Sequence, residues 1–139
     1  MKKGRLLIID DEKEFIDTIS VRLKALRYEV IEALSGEEGL EKVRTEKPEL
    51  IILDLAMPGM DGFDVCRKLK IDAKLKSIPI VVLSAKFQPN DLQFAKELGA
   101  DAYLTKPIDL KTLSTQIDAF LQRRKLPARA NKESTSPSN

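Results

Sequence analysis

Charged and hydroxyl side chains follow four short apolar segments of this sequence. Asp10 and Asp11 follow the first segment directly. Asp54 lies near the end of the second, Ser84 ends the third, and Lys106 comes just after the fourth. Three carboxylates brought together repel one another and lose hydration, so a cation has to accompany them. Hard carboxylate oxygens suit Mg²⁺, which binds few protein ligands and leaves positions for phosphate oxygens. The set therefore suits transfer of a phosphoryl group to a carboxylate, with Asp54 as the nucleophile.

This chemistry needs no general base, because an ionised carboxylate has no proton to lose. The sequence contains no histidine, which excludes Ser-His and Cys-His catalysis, histidine-bound zinc and histidine phosphorylation. A phosphoryl group would have to come from another protein or from a small molecule. Taken singly, the candidates have ordinary explanations, such as Asp11 capping a helix or Lys106 being a surface charge. Their joint pattern is what carries the specificity.

The apolar segments that precede these side chains alternate with helical patterns along the chain. Five strands are predicted, at Leu6–Ile9, Tyr28–Ala33, Leu50–Leu55, Pro79–Ser84 and Ala102–Thr105. Apolar residues at three- and four-residue steps predict a helix after each strand. This alternation predicts a doubly wound α/β fold with a five-stranded parallel sheet and five helices on its two faces. Ligands bind such sheets at the carboxyl ends of the strands, where all the candidate side chains would meet.

Local signals mark several of the helix ends. Ser35 followed by Glu38 has the pattern of a capping box. Asp61 is placed to cap the third helix, and Gly99 is placed to end the fourth. Cys66 lies in a helical stretch, and we expect it to be a packed thiol rather than a nucleophile.

Composition limits the setting and the partners. The 139 residues fit one domain, predicted at residues 1–125, followed by a disordered tail or linker at 126–139. The net charge of +2 gives no sign of nucleic-acid binding. Basic residues near the end of the domain are interpreted as a solvated helix end, namely Arg123, Arg124, Lys125, Arg129 and Lys132. No apolar run approaches the roughly 18–20 residues that span a bilayer, so membrane insertion is not expected. A single cysteine favours a reducing, cytoplasmic location.

Together these motifs resemble the response-regulator receiver family of two-component signalling, over about residues 5–124. Asp10-Asp11 resembles the family's acidic pair, and Asp54-Leu55-Ala56-Met57-Pro58 with Gly62 resembles its phosphoacceptor loop. Ser84-Ala85 resembles the switch hydroxyl and its small neighbour, and Lys106-Pro107 resembles the lysine–proline pair, whose peptide bond is usually cis. The chain is similar to single-domain, chemotaxis-regulator-like members. The resemblance implies a flavodoxin-like sheet with strand order 2-1-3-4-5.

The resemblance also implies a reaction. Asp54 would take a phosphoryl group from a histidine kinase or a histidine phosphotransfer protein. Mg²⁺ would be held by Asp10, Asp11, Asp54 and the backbone carbonyl of Ala56. The chain would be a signalling phosphoacceptor and not an enzyme, since it would catalyse only its own phosphorylation and slow dephosphorylation.

A switch would follow from that reaction. Ser84 and Lys106 would bind the phosphate, and Tyr103 matches the switch aromatic, which moves inward with the hydroxyl. The surface formed by the fourth helix, the fifth strand and the fifth helix would then change shape and control a downstream protein. That surface includes Lys86, Phe87, Phe94, Tyr103 and parts of residues 109–124. Ala56 and Lys86 occupy the two positions that set reaction rates in the family.

Three other functions fit parts of the sequence. A binding module of the same fold that is never phosphorylated would not need Asp54, Ser84 and Lys106 together. An aspartate-nucleophile phosphohydrolase would carry a second aspartate where Ala56 stands. A flavodoxin-like flavin carrier would have a phosphate loop rich in Ser, Thr and Gly in place of Asp10-Asp11-Glu12. The sequence leaves open the kinase, the target, the phosphate lifetime, homodimer formation on phosphorylation, and whether the chain acts alone or is part of a longer protein.

Overall fold

Five strands alternate with five helices along the part of the chain described by this computed structural model, residues 2–85 and 89–125. The strands are β1 (Arg5–Ile9), β2 (Glu29–Ala33), β3 (Leu50–Asp54), β4 (Ile80–Ser84) and β5 (Ala102–Thr105). The helices are α1 (Lys13–Ala25), α2 (Gly36–Glu46), α3 (Gly62–Lys70), α4 (Pro89–Glu97) and α5 (Leu110–Lys125). Each predicted strand is present, with boundaries within one residue of the prediction.

The five strands form one parallel sheet in the order β2-β1-β3-β4-β5. This confirms the predicted doubly wound α/β fold and its strand order. Ile9 of β1 pairs with Leu53 of β3, and Asp54 at the end of β3 pairs with Leu83 of β4. The register therefore brings the last residues of the three central strands to the same edge of the sheet.

The core consists of two apolar layers, one on each face of the sheet. Successive residues of a strand point to opposite faces, so β1 contributes Leu7 and Ile9 to one layer and Leu6 and Ile8 to the other. Buried side chains of α2 and α3 complete the first layer, and those of α1 and α5 complete the second. The central strands are apolar except at an end residue of each, Arg5, Asp54 and Ser84, because both of their faces are covered.

Local capping agrees with the sequence in part. The Ser35 hydroxyl accepts a hydrogen bond from the Glu38 N–H at 3.1 Å. The Glu38 carboxylate accepts from Leu34 and not from Ser35, so that capping box is only half formed. Asp61 caps α3 as predicted, and here the box is complete, since Asp64 accepts in return from the Asp61 N–H.

Two further predictions concern single residues. Gly99 follows α4 with a positive φ of 100°, which agrees with its predicted role as a helix terminator. Cys66 is buried in the layer beneath α3, and burial raises the pKa of its thiol to about 11. This confirms a packed thiol.

The proposed tail at 126–139 lies outside the described residues. Among the helices that the structure describes, none has the length and apolar character needed to cross a membrane.

Candidate functional site

Three aspartates come together at the carboxyl edge of the sheet. Asp10 follows β1 directly and Asp54 is the last residue of β3. Asp10, Asp11 and Asp54 each place a carboxylate oxygen within 4.8 Å of the others. Asp10 and Asp54 are buried, at 1% and 4% exposure, whereas Asp11 faces solvent. The predicted acidic cluster is therefore present, with one side open to water.

Burial and the closeness of other carboxylates raise the pKa values of the two buried aspartates, Asp10 and Asp54. Burial, followed by the charge of Asp10, raises the pKa of Asp54 to about 6, and the nearby Lys106 opposes this shift. Burial also raises the pKa of Asp10, again against a hydrogen bond from Lys106. The cluster offers carboxylate oxygens, an excess of negative charge and one side open to water. These features fit Mg²⁺, which keeps water or phosphate in its remaining positions.

Lys106 approaches the cluster from the segment after β5. Its ammonium donates to Asp10 Oδ2 at 2.7 Å and to Glu12 Oε1 at 2.8 Å. Asp54 Oδ1 lies 4.0 Å from the same nitrogen, which is an ion pair without a direct hydrogen bond. Burial favours a lower pKa for Lys106, but its hydrogen bonds to Asp10 and Glu12 outweigh that effect and the pKa is raised.

Ser84 and Tyr103 lie on the neighbouring strands. Ser84 ends β4 and is buried, one residue beyond the residue that pairs with Asp54. The hydroxyl of Tyr103 is buried, and its ring packs against the layer that contains α3. Burial raises the pKa of Tyr103, and a side-chain hydrogen bond with Ser84 opposes that shift. The structure thus places Ser84 and Tyr103 close together, and their roles as switch hydroxyl and switch aromatic stay predictions.

The loop after β3 packs closely against the end of that strand. The Ala56 N–H points to Asp54 Oδ1 at 3.4 Å, and the Gly62 N–H donates to the Leu55 carbonyl at 3.1 Å. A Cβ atom on Gly62 would lie 2.3 Å from the Asp54 carbonyl oxygen. Gly62 therefore allows α3 to begin directly against the backbone of Asp54. The Lys106–Pro107 peptide bond is cis, as the resemblance implied.

Two residues in contact with Lys106 were not among the sequence-based candidates. Glu12 forms one of its hydrogen bonds, and the Phe15 ring lies under its ammonium at 4.2 Å from the ring centroid. The acidic run at residues 10–12 was a visible signal for Glu12, but sequence patterns alone could not show that Lys106 reaches back to it. By its spacing in the sequence, Phe15 looks like an ordinary apolar position of α1.

The structure also locates part of the predicted output surface. Phe94 on α4 is 42% exposed and stacks against Phe63 of α3, with ring centroids 4.9 Å apart. Lys86 and Phe87 lie outside the described residues, so the role assigned to Lys86 stays a prediction.

Comparison with known proteins agrees with this geometry. The sequence model of the family described as "Response regulator receiver domain" matches residues 6–118. This chain belongs to the response regulator receiver family. It is 37% identical over 118 residues to Protein PilH of Pseudomonas aeruginosa, which covers 85% of this receiver and 98% of PilH.

A second relative is longer than this chain. The receiver is 40% identical over 124 residues to the alkaline phosphatase synthesis transcriptional regulatory protein PhoP of Bacillus subtilis, which covers 89% of this chain and 51% of PhoP. The chain thus spans about half the length of the first curated relatives it matches.

Solved receiver structures share the fold. The chemotaxis protein CheY4 of Vibrio cholerae superposes with a TM-score of 0.79 at 30% identity, covering 84% of this chain and 98% of that one. A putative response regulator from Chloroflexus aurantiacus gives a TM-score of 0.82 at 31% identity, covering 87% and 99%.

The predicted family is therefore confirmed, and the protein is a receiver domain of two-component signalling. Receiver domains are signalling phosphoacceptors rather than true enzymes, and they generally use Mg²⁺ at an acidic pocket. The cluster of Asp10, Asp11 and Asp54 could hold a metal ion by its composition and geometry. The roles of the individual residues stay predictions.

Proposed function

We propose that this receiver accepts a phosphoryl group on Asp54 from a histidine kinase or a histidine phosphotransfer protein. One observation carries the proposal. The Asp54 carboxylate ends a central strand with two further carboxylates within 4.8 Å and the Lys106 ammonium at 4.0 Å. A nucleophile, an acidic metal pocket and a fixed cation are the parts that phosphoryl transfer to a carboxylate requires.

The transfer uses groups that are already in the required ionisation state. With a pKa of about 6, Asp54 is mostly ionised at neutral pH and needs no base. One Asp54 carboxylate oxygen forms a bond to phosphorus while the bond from phosphorus to the donor nitrogen breaks. The electron pair of that bond stays with the donor's imidazole ring.

Asp10, Asp11 and Asp54, with the backbone carbonyl of Ala56, would hold Mg²⁺. When bound, Mg²⁺ supplies positive charge to the phosphoryl oxygens. Lys106 adds a second positive charge at the buried side of the cluster, where a charge interaction is stronger than in water. Ala56 and Lys86 are the positions proposed to set rates. The methyl group of Ala56 has no polar atom with which to orient an attacking water.

Phosphorylation would change the output surface by a population shift. A phosphoryl group brings about two negative charges and three acceptor oxygens to the site. Ser84 and Lys106 would bind these oxygens, and the nearby Tyr103 would transmit the movement of Ser84 to β5. We define the output face as the exposed surface of α4, β5 and α5, and we propose that it controls a downstream protein. Exposed Phe94 supplies an apolar contact on this face.

We also propose that the receiver comprises residues 1–125 and works in the cytoplasm. The family match ends within that range, at residue 118, and α5 extends to Lys125. The free thiol of Cys66 fits a reducing compartment.

The test is direct phosphorylation by a small donor. Incubation of the wild-type receiver with phosphoramidate and Mg²⁺ should add one phosphoryl group to the intact mass, and EDTA should prevent it. Asp54→Asn should show no addition. Asp17→Asn is the matched control, because Asp17 is an exposed aspartate on α1 that pairs with Lys13, and it should label like wild type. Labelling of Asp54→Asn at the wild-type rate would refute the assignment.

A further inference from the structure

Four groups fix the resting position of the Lys106 ammonium. It donates to Asp10 and Glu12, it lies over the Phe15 ring, and it stops 4.0 Å short of Asp54. The side chain of Lys106 is 10% exposed. The cation that should bind a phosphoryl group on Asp54 is therefore held towards β1 and α1 before that group arrives.

The two hydrogen-bonded partners of Lys106 differ in how easily they can be exchanged. Asp10 is buried and both of its oxygens are engaged, since Oδ1 accepts from the Glu12 N–H at 2.9 Å and Oδ2 accepts from Lys106. The Glu12 side chain is 62% exposed, so water can solvate its carboxylate when it loses the ammonium. Breaking the Asp10 contact would leave a buried charge without its partner, whereas breaking the Glu12 contact would not.

Lys106 has to move before it can bind Asp54 or oxygens close to it. Its ammonium is held by Asp10 and Glu12, and its present distance of 4.0 Å from Asp54 Oδ1 is outside hydrogen-bond range. Exposed Glu12 is the partner that the ammonium can release at the smaller cost when it moves towards the phosphoryl oxygens.

We propose that Glu12 is a positioning residue that holds Lys106 in its resting place and is displaced from it by the phosphoryl oxygens. Glu12 therefore competes with the phosphoryl group for the position of the Lys106 ammonium and weakens the active arrangement. This inference rests on the proposed function of Asp54. It assigns to Glu12 an effect on the equilibrium between resting and phosphorylated arrangements, and not a role in bond making.

The first test measures the affinity of the phosphate mimic beryllofluoride at saturating Mg²⁺. Glu12→Gln keeps the side-chain shape and removes the competing charge, so it should bind beryllofluoride about two- to fivefold more tightly than wild type, the range expected for an exposed ion pair. Glu14→Gln is the matched control, because Glu14 is an exposed acidic residue in the first turn of α1, and it should bind like wild type. Equal or weaker binding by Glu12→Gln, or an equal gain in Glu14→Gln, would overturn the inference.

The second test observes Lys106 itself by the NMR signal of its Cε, assigned by its loss in Lys106→Met. Without beryllofluoride, the Lys106 Cε signal of Glu12→Gln should differ in chemical shift from that of wild type. With both wild type and Glu12→Gln saturated with beryllofluoride, the two signals should coincide, because wild type has then already released the contact between Lys106 and Glu12. A difference that persists in the complex would show that Glu12 stays paired and would overturn the displacement. Failure of wild type to bind beryllofluoride with Mg²⁺ would contradict the proposed function itself. Binding by wild type without the expected effect of Glu12→Gln would contradict only the role of Glu12.

Discussion

Two lysine–aspartate clusters lie at opposite edges of the sheet, and they are built in different ways. At the amino edge, Lys70 donates to the backbone carbonyls of Lys76 and Ile78 and to the Asp101 carboxylate. The same carboxylate oxygen accepts from the Ile80 N–H at 2.8 Å, where β4 begins. Cation and anion are matched there, and most of their hydrogen bonds go to the protein backbone.

At the carboxyl edge, the cation is outnumbered. Lys106 faces Asp10, Glu12 and Asp54, and Asp11 adds a further carboxylate to the cluster. The first cluster joins loops to strands, so we interpret it as a structural clamp. The second retains unbalanced charge in a buried place, which is an arrangement typical of a ligand site. The same residue types thus form a structural contact at one edge and the proposed binding site at the other.

The largest expected contrast comes from the same substitution at each edge. Asp54→Asn removes one of two buried carboxylates that repel each other, so without Mg²⁺ it should raise the free energy of unfolding by about 3 kcal/mol at pH 7, the value of a pKa shift from 3.8 to about 6. Asp101→Asn removes the partner of Lys70 and should lower it by about 1–2 kcal/mol. Urea unfolding of both variants measures the two signs. A change of the same sign in the free energy of unfolding of both variants would contradict the proposed difference between the two clusters.

A second contrast uses the two lysines. Lys106→Met should weaken beryllofluoride binding by about 100-fold, because the largely buried cation proposed to contact the bound fluorides is lost. Lys70→Met should bind beryllofluoride within about twofold of wild type, and it should lower the free energy of unfolding by about 1–3 kcal/mol because backbone carbonyls lose their donor. Titration calorimetry and urea unfolding distinguish the two roles. A large loss of binding in Lys70→Met would mean that the clamp also supports the site.

The third contrast is a dependence on pH. Because the pKa of Asp54 is raised from 3.8 to about 6, its contribution to stability is fully present below the unfolded value and is lost as pH rises through the folded one. Without Mg²⁺, the advantage of Asp54→Asn over wild type should therefore shrink by about 2 kcal/mol when pH falls from 7 to 4.5. Urea unfolding at several pH values tests this. An advantage that is independent of pH would indicate that repacking, not charge, stabilises the variant.

The fold was predictable because its signals are local and agree with one another. Each central strand is a short apolar run, each helix has one apolar face, and Asp61 and Gly99 mark helix ends by chemistry that acts within a few residues. The strand order, in contrast, was implied by the resemblance to the receiver family and not by these local signals. The half-formed box at Ser35 shows the limit of this approach, since the sequence cannot say which nearby N–H a flexible glutamate will choose.

The site was predictable in its main members and not in its supporting contacts. Asp10, Asp54 and Ser84 follow apolar strands, so the sheet alone brings them together. Glu12 and Phe15 matter because a lysine more than 90 residues away in sequence reaches them, and such contacts depend on tertiary geometry that no local pattern encodes.

Gly62 brings α3 into direct backbone contact with the end of β3. Since even a methyl group there would overlap the carbonyl of Asp54 and the Cα of Leu55, helix α3 and the end of β3 fit together with no free space between their backbones. We therefore expect a displacement of the first turn of α3 to move the backbone of Asp54, because no side chain of Gly62 lies between them. Substitutions in the first turn of α3 should therefore affect the position of the Asp54 carboxylate as well as the packing of the core.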